Sequence, residues 1–191
     1  MEITYEMQGW YWERTGRHRG LVKENLKALS AHELLSKEAL VERGNSHDLD
    51  KYSVDNNKAY ILVSWYFKKR RECLNFQMPK HVLKAVNKAT HSHVISNAHH
   101  PEYHANKIKP ISIFERDDIV KGNLSIIEVP EMPIHDVAEM VCDWTAIAQE
   151  LGEENASARS WADKQIGNKW VFFDKDTQLI YDFITVLECR D

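Results

Sequence analysis

The sequence predicts an all-α helical bundle, one domain over residues 1–191, with a small β-hairpin or lid at 108–130. Three observations lead there. Seven glycines and five prolines leave long stretches unpunctuated. Apolar residues recur at three- and four-residue spacing through most of the chain. β-rich runs gather mainly around 108–130, and no internal repeat is visible.

The elements follow in order. From Arg17 to Val41 the pattern is helical, with Val22, Leu26, Leu29 and Glu33 near one face and Leu21, Leu34, Leu35 and Leu40 beside them. Gly44 with Asn45 predicts its C-terminal stop. Ser46 can cap a short second helix, with His47 and Asp48 in its first turn, and Ser53 and Asp55 read as a fresh N-cap region. Residues 56–73 are strongly apolar, with Trp65, Tyr66 and Phe67 adding bulk, and predict a buried helix. Residues 78–96 show helical spacing through Val82, Ala85, Val86 and Ala89, with Pro79 in the first turn. Two β-rich runs then flank "KGN" within 108–130. Helix resumes over 132–151, between Pro133 and Gly152. A short helix follows in "ASARSWADKQI", then a strand or extended arm in "KWVFF", then a last helix capped by Thr177 and running through Leu187.

Bulk properties narrow the function. Hydrophobic residues make up 43% of the 191, enough for one globular core. The formal charge of −4 argues against a non-specific nucleic-acid or membrane binder. The basic run "KKRRE" (68–72) reads as a solvated helix end. Three cysteines, Cys73, Cys142 and Cys189, form no CxxC pair and fit a reducing compartment. No apolar run reaches a membrane span, and the start carries no apolar signal core. The expectation is a soluble cytoplasmic protein of bacterial or viral type, able to form a homo-oligomer.

Ten histidines are the unusual feature, five of them (His91, His93, His99, His100 and His104) in one short tract. His47 stands beside Asp48 in "GNSHDLDKYS". A divalent metal inside a helical bundle needs inward ligands from several helices, and imidazole with carboxylate suits Mn, Fe, Co, Ni or Zn. His18 shares a face with Val22 and Leu29 and should look inward; His32 lies on the same stripe and is an alternative. Asp143 sits among Met140, Val141, Ala146 and Ile147, where an unpaired buried carboxylate is costly. A metal would resolve that cost, and so would a salt bridge to Lys or Arg.

His18, then "HDLDK", then Asp143 resembles the HD-domain superfamily of metal-dependent phosphohydrolases. More closely, "HDLDKYS", "NAHHPEYH" and "EMVCDW" resemble, in that order, blocks of an uncharacterised HD-like family of phages and bacteria. The likeness spans roughly residues 17–185. It departs at Pro101 and His104, where that family carries Trp, and at Asn56 and Asn57, where it often carries an acid. The resemblance implies an HD-domain-like fold and the ligands His18, His47, Asp48 and Asp143. It implies a divalent transition metal (Mn, Co, Ni, Fe or Zn) or Mg, one ion first and two as the alternative. The activity implied is hydrolysis of a nucleotide or another phosphoester or phosphoanhydride. A divalent ion lowers the pKa of bound water and offsets phosphate charge.

Other residues join the site. Lys51 projects on the side of Asp48; it can contact a substrate phosphate or ion-pair with Asp48 or Asp50. On a continuous helix His93, Asn97 and His100 share a face, flanked by His99 and Glu102. They can bind a second metal, contact phosphate or form a structural network. Glu139, one turn before Asp143, can orient a ligand or accept a proton. His81 and His135 read as surface or core residues, and Trp65, Trp144, Trp161 and Trp170 as core or cavity walls.

Three functions stay open: a metal-dependent phosphohydrolase, a di-iron oxygenase recruiting two His from 91–104, and a non-catalytic HD-like binder of a nucleotide or a protein.

Overall fold

The computed structural model describes residues 2–72, 78–105, 126–152 and 156–189. Eight helices account for most of them, as predicted: α1 (Tyr5–Leu29), α2 (Lys37–Ser46), α3 (Val54–Arg71), α4 (Lys80–Ser96), α5 (Pro101–His104), α6 (Ile134–Leu151), α7 (Ala158–Gln165) and α8 (Asp174–Glu188). A 3-10 turn spans Leu49–Tyr52. Two short strands, β1 (Ile127–Glu128) and β2 (Trp170–Val171), pair in parallel, with Ile127 opposite Trp170. No helix among the described residues is long and apolar enough to cross a membrane.

The architecture follows from α1. Its buried residues are Met7, Tyr11, Thr15, His18, Val22, Asn25, Leu26 and Leu29, at three- and four-residue steps along one stripe. The ends of the stripe are apolar and its middle is polar. Met7 and Tyr11 join a cluster with Ala59–Val63 and Trp65 of α3 and Val82, Val86 and Ala89 of α4. Val22, Leu26 and Leu29 join a second cluster with α6, α7 and α8, where Trp144 and Trp170 stack at 5.8 Å. Thr15 and His18 fall on the seam between the two cores.

The structure corrects several expected boundaries. α1 begins at Tyr5, where Thr4 caps it by accepting the Met7 amide, and it ends at Leu29. The predicted run to Val41 is broken because Ser36 starts a new helix, accepting the Ala39 amide. Gly44 is not a stop. It lies inside α2, where a Cβ would come to 3.0 Å from Lys23 Cγ and 3.4 Å from Leu26 Cδ1, so it permits close crossing of α1 and α2. No helix starts at Ser46; α2 ends there instead. α8 starts at Asp174, ahead of Thr177. Gly152 does end its helix, in the left-handed region at φ 61°. Trp65, Trp144 and Trp170 are buried as expected, whereas Trp161 is 38% exposed. Of the predicted 108–130 hairpin or lid, residues 108–125 lie outside the described residues. At the described end, Ile127 and Glu128 pair in parallel with β2.

Candidate metal centre

The polar middle of α1 faces the segment that leaves α2. The His47 amide donates to the Arg43 carbonyl at 2.7 Å and closes the last turn. Asp48 then takes φ 58°, the one positive φ at a non-glycine residue among those described. Left-handed backbone is strained for most residues and tolerated by Asp and Asn. The reversal aims both side chains inward, and His47 and Asp48 are each 1% exposed. Arg19 fixes the bend by donating Nε to the His47 carbonyl at 2.8 Å. Asp143 arrives from the middle of α6.

His18, His47, Asp48 and Asp143 therefore meet. His18 Nε2 is 2.9 Å from Asp143 Oδ1 and 3.7 Å from Asp48 Oδ2. His47 Nε2 is 3.4 Å from His18 Nε2, 3.5 Å from Asp48 Oδ2 and 3.8 Å from Asp143 Oδ1. For donor–ion distances of about 2.1 Å, neighbouring donors stand about 3 Å apart at right angles and about 3.4 Å apart in a tetrahedron. Two of the five separations, 2.9 and 3.4 Å, agree with those values, and the other three, 3.5–3.8 Å, are up to about 0.4 Å longer, so an ion would draw the donors slightly together.

A second set faces the other oxygen of Asp48. His93 Nε2 is 3.3 Å and His99 Nε2 3.8 Å from Asp48 Oδ1, and His100 Nε2 is 2.9 Å from His93 Nε2. The expected continuous helical face does not explain this set. α4 stops at Ser96, Asn97 is extended, and the chain turns back into α5, bringing His99 and His100 round to His93. His104 donates Nε2 to the Ala98 carbonyl at 2.8 Å and pins that reversal. The Asn97 amide donates to the His93 carbonyl at 2.8 Å, so it positions this set.

The opposite edges of the rings explain their orientation. His47 Nδ1 and His99 Nδ1 share Glu139 Oε1, at 2.9 and 3.2 Å. His93 Nδ1 bonds Asp50 Oδ2 at 2.8 Å. Glu150 Oε2 lies 3.7 Å from His18 Nδ1, beyond hydrogen-bond reach, and pairs with Arg14 at 2.9 Å. A carboxylate on Nδ1 fixes the proton there and leaves the Nε2 lone pair facing inward, as at metal-bound histidines. Asp48 Oδ1 and His99 Nε2 are buried and have no hydrogen-bond partner among the described residues. Each such group costs about 1–3 kcal/mol unless something satisfies it.

Charge follows geometry. Burial opposes ionisation of Glu139, but hydrogen bonds from His47 and His99 outweigh it and hold its carboxyl at about 2. Glu139 is thus ionised, with Oε1 facing both rings. Burial likewise opposes the charge on Asp48, and His47, Lys51, His93 and His99 overcome it, keeping the carboxyl well below its usual range. Burial disfavours a charged His18, yet Asp143 and Glu150 raise it to about 9. His100 stays neutral, through burial and then the neighbouring His99 and His93.

Lys51 pairs with Asp48 Oδ2 at 2.5 Å and is 21% exposed, at the rim of the cluster. The other histidines stand apart. His32 packs edge-on against Phe183 at 5.1 Å, and His135 Nε2 accepts the Ser36 amide at 3.0 Å. His81 is exposed and His91 half-buried. Arg43, Glu150 and the orienting role of Asp50 escaped the sequence reading. Only Asp50 carried a signal, its place inside "HDLDK".

These features define an all-α protein with buried His and Asp clusters that can hold a metal ion. The chain belongs to the Family of unknown function (DUF5662), matched over residues 7–186. No curated protein and no solved structure matches it.

Proposed function

We propose that the protein is a metal-dependent phosphohydrolase of the HD-domain type, with two cation positions sharing Asp48. One observation carries the reading: the Nε2 atoms of His18, His47, His93 and His99 lie within 3.8 Å of an Asp48 or Asp143 oxygen, His100 Nε2 lies 2.9 Å from that of His93, and three of these rings are held at Nδ1 by carboxylates. His18, His47, Asp48 and Asp143 would hold one ion. Asp48, His93, His99 and His100 would hold the other, which takes up the two-ion alternative. When bound, the ions supply an acidified water and positive charge against a phosphoryl group. Among the described residues, Lys51 is a cation placed beside Asp48 where it can meet a substrate phosphate. Ions held by Asp48 would compete with the Lys51 ammonium for its carboxylate. Glu139 and Asp50 keep the imidazoles in the ligating tautomer. The ordered resemblance of "HDLDK", "NAHHPEYH" and "EMVCDW" supports the same class, with a nucleotide as the expected substrate.

The test is metal analysis of protein purified without chelator, followed by a screen of nucleoside mono-, di- and triphosphates with Mn, Co, Ni, Fe or Mg. Release of phosphate, pyrophosphate or triphosphate that chelator stops is expected. No turnover by cation-loaded protein across the screen would sink the hydrolase.

The three-histidine second set also favours a di-iron oxygenase, which needs ligands from the 91–104 tract. Two irons per chain with substrate-dependent oxygen uptake would select it.

A further inference from the structure

We infer that Arg43 is a positioning residue that holds one imidazole of each ligand set through Glu139, so that both cation positions depend on one guanidinium. The inference rests on the metal reading above and concerns residues outside the ligand sets.

Arg43 lies in the last turn of α2, and its carbonyl accepts the His47 amide at 2.7 Å. Its guanidinium reaches α6, where Nη1 bonds Glu139 Oε2 at 2.9 Å and Nη2 pairs with Asp136 Oδ1. Asp136 and Glu139 are three residues apart on α6 and so present their carboxylates side by side. A planar fork can engage both; a lysine ammonium, a single point of charge, cannot do so with the same geometry. Glu139 is thus held by one oxygen, and its other oxygen, Oε1, takes His47 and His99. His47 belongs to the first ligand set and His99 to the second.

Behind His18, Glu150 is paired with Arg14 but lies 3.7 Å away, beyond hydrogen-bond reach. The other hydrogen-bonded anchor is private. Asp50 stands behind His93, a member of the second alone. Only the Arg43–Glu139 pair serves both sets among the anchors described. The Arg43 side chain is 26% exposed and the Glu139 side chain 7%, so the clamp closes over the cluster from its outer side. Without the guanidinium, Glu139 loses the partner that fixes its rotamer, and His47 and His99 lose their Nδ1 anchor together.

Losing a group that orients metal ligands costs about 10–100-fold in metal affinity. Here that loss should fall on both positions in step. The experiment is equilibrium dialysis of Co(II) against the full chain, with the visible absorption of bound cobalt reporting ligand geometry. Wild type should bind two ions. Arg43→Gln should weaken both by about 10–100-fold, with altered cobalt bands. Asp50→Asn, which alters the carboxylate behind His93, should weaken one alone. Arg43→Lys keeps the charge and guards against misfolding; it should fall between wild type and Arg43→Gln, again with both positions moving together. Millimolar guanidinium should restore binding to Arg43→Ala. Two ions bound by Arg43→Gln at wild-type affinity, or loss of one alone, would overturn the inference and leave the metal reading standing. A wild-type chain that binds no cobalt would overturn both.

Discussion

Asp48→Asn is the most direct probe of the shared carboxylate. Asp48 Oδ2 stands 3.5 and 3.7 Å from His47 and His18, and Oδ1 stands 3.3 and 3.8 Å from His93 and His99. One side chain therefore serves both ligand sets, and removing its charge should impair both. Asparagine is the right replacement because the backbone sits at φ 58°, which Asn tolerates and Ala does not. The cation-free fold should change little. Any loss of stability from the missing Lys51 pair is common to both melts of the variant, so the readout is the cation-dependent upshift of each protein against its own stripped form. In the wild type, cation at a hundredfold excess over Kd adds about 2.7 kcal/mol for each position filled. For a chain of this size that raises Tm by about 5–10 °C. The assay is a thermal melt with and without Mn(II) or Co(II), on protein first stripped with chelator. Asp48→Asn should keep a cooperative melt and lose most of the upshift. An upshift equal to that of the wild type would refute convergence on Asp48.

Two further outcomes are expected. In cation-free protein the His18 pKa rises from 6.5 to about 9. The proton it gains on folding stabilises fully below about pH 6.5, and that contribution, about 3 kcal/mol, is lost as pH rises through about 9. His99 is raised too: burial opposes its charge, but Glu139 and nearby Asp143 prevail, so it acts in the same sense. Melts in chelator should show Tm falling from pH 6.5 to 9, and a rise over that window would contradict the assignment. Asp50→Asn should leave His93 poorly oriented and weaken the second cation position by about 10–100-fold while sparing the first; cobalt dialysis reads both, and equal losses at the two would count against the separation of the sets.

Much of the candidate site was legible in residue type and chain order. His18 was readable because it continues an inward stripe, and Asp143 because a carboxylate among Met140, Val141 and Ala146 demands a partner. The rest depended on things a local pattern does not carry. Leu34 and Leu35 continue the apolar spacing of α1, so the break before Ser36 was hidden by periodicity. His99 and His100 reach the cluster through a reversal at Asn97, not along a helix face. Arg43 and Glu139 lie 96 residues apart, and their pairing leaves no local signature. The left-handed turn at Asp48 was equally unreadable, since neither His nor Asp announces it as glycine would.

The seam in the middle of α1 bears on the order of folding. Ligands reach it from helices belonging to both apolar interiors, so donors 18, 47, 93, 99 and 143 become neighbours only once the two interiors have consolidated around the same rod. Small zinc modules use the ion as the template on which the chain collapses. This chain has apolar interiors enough to gather itself first, and the ion would arrive as a late guest, locking an arrangement already made.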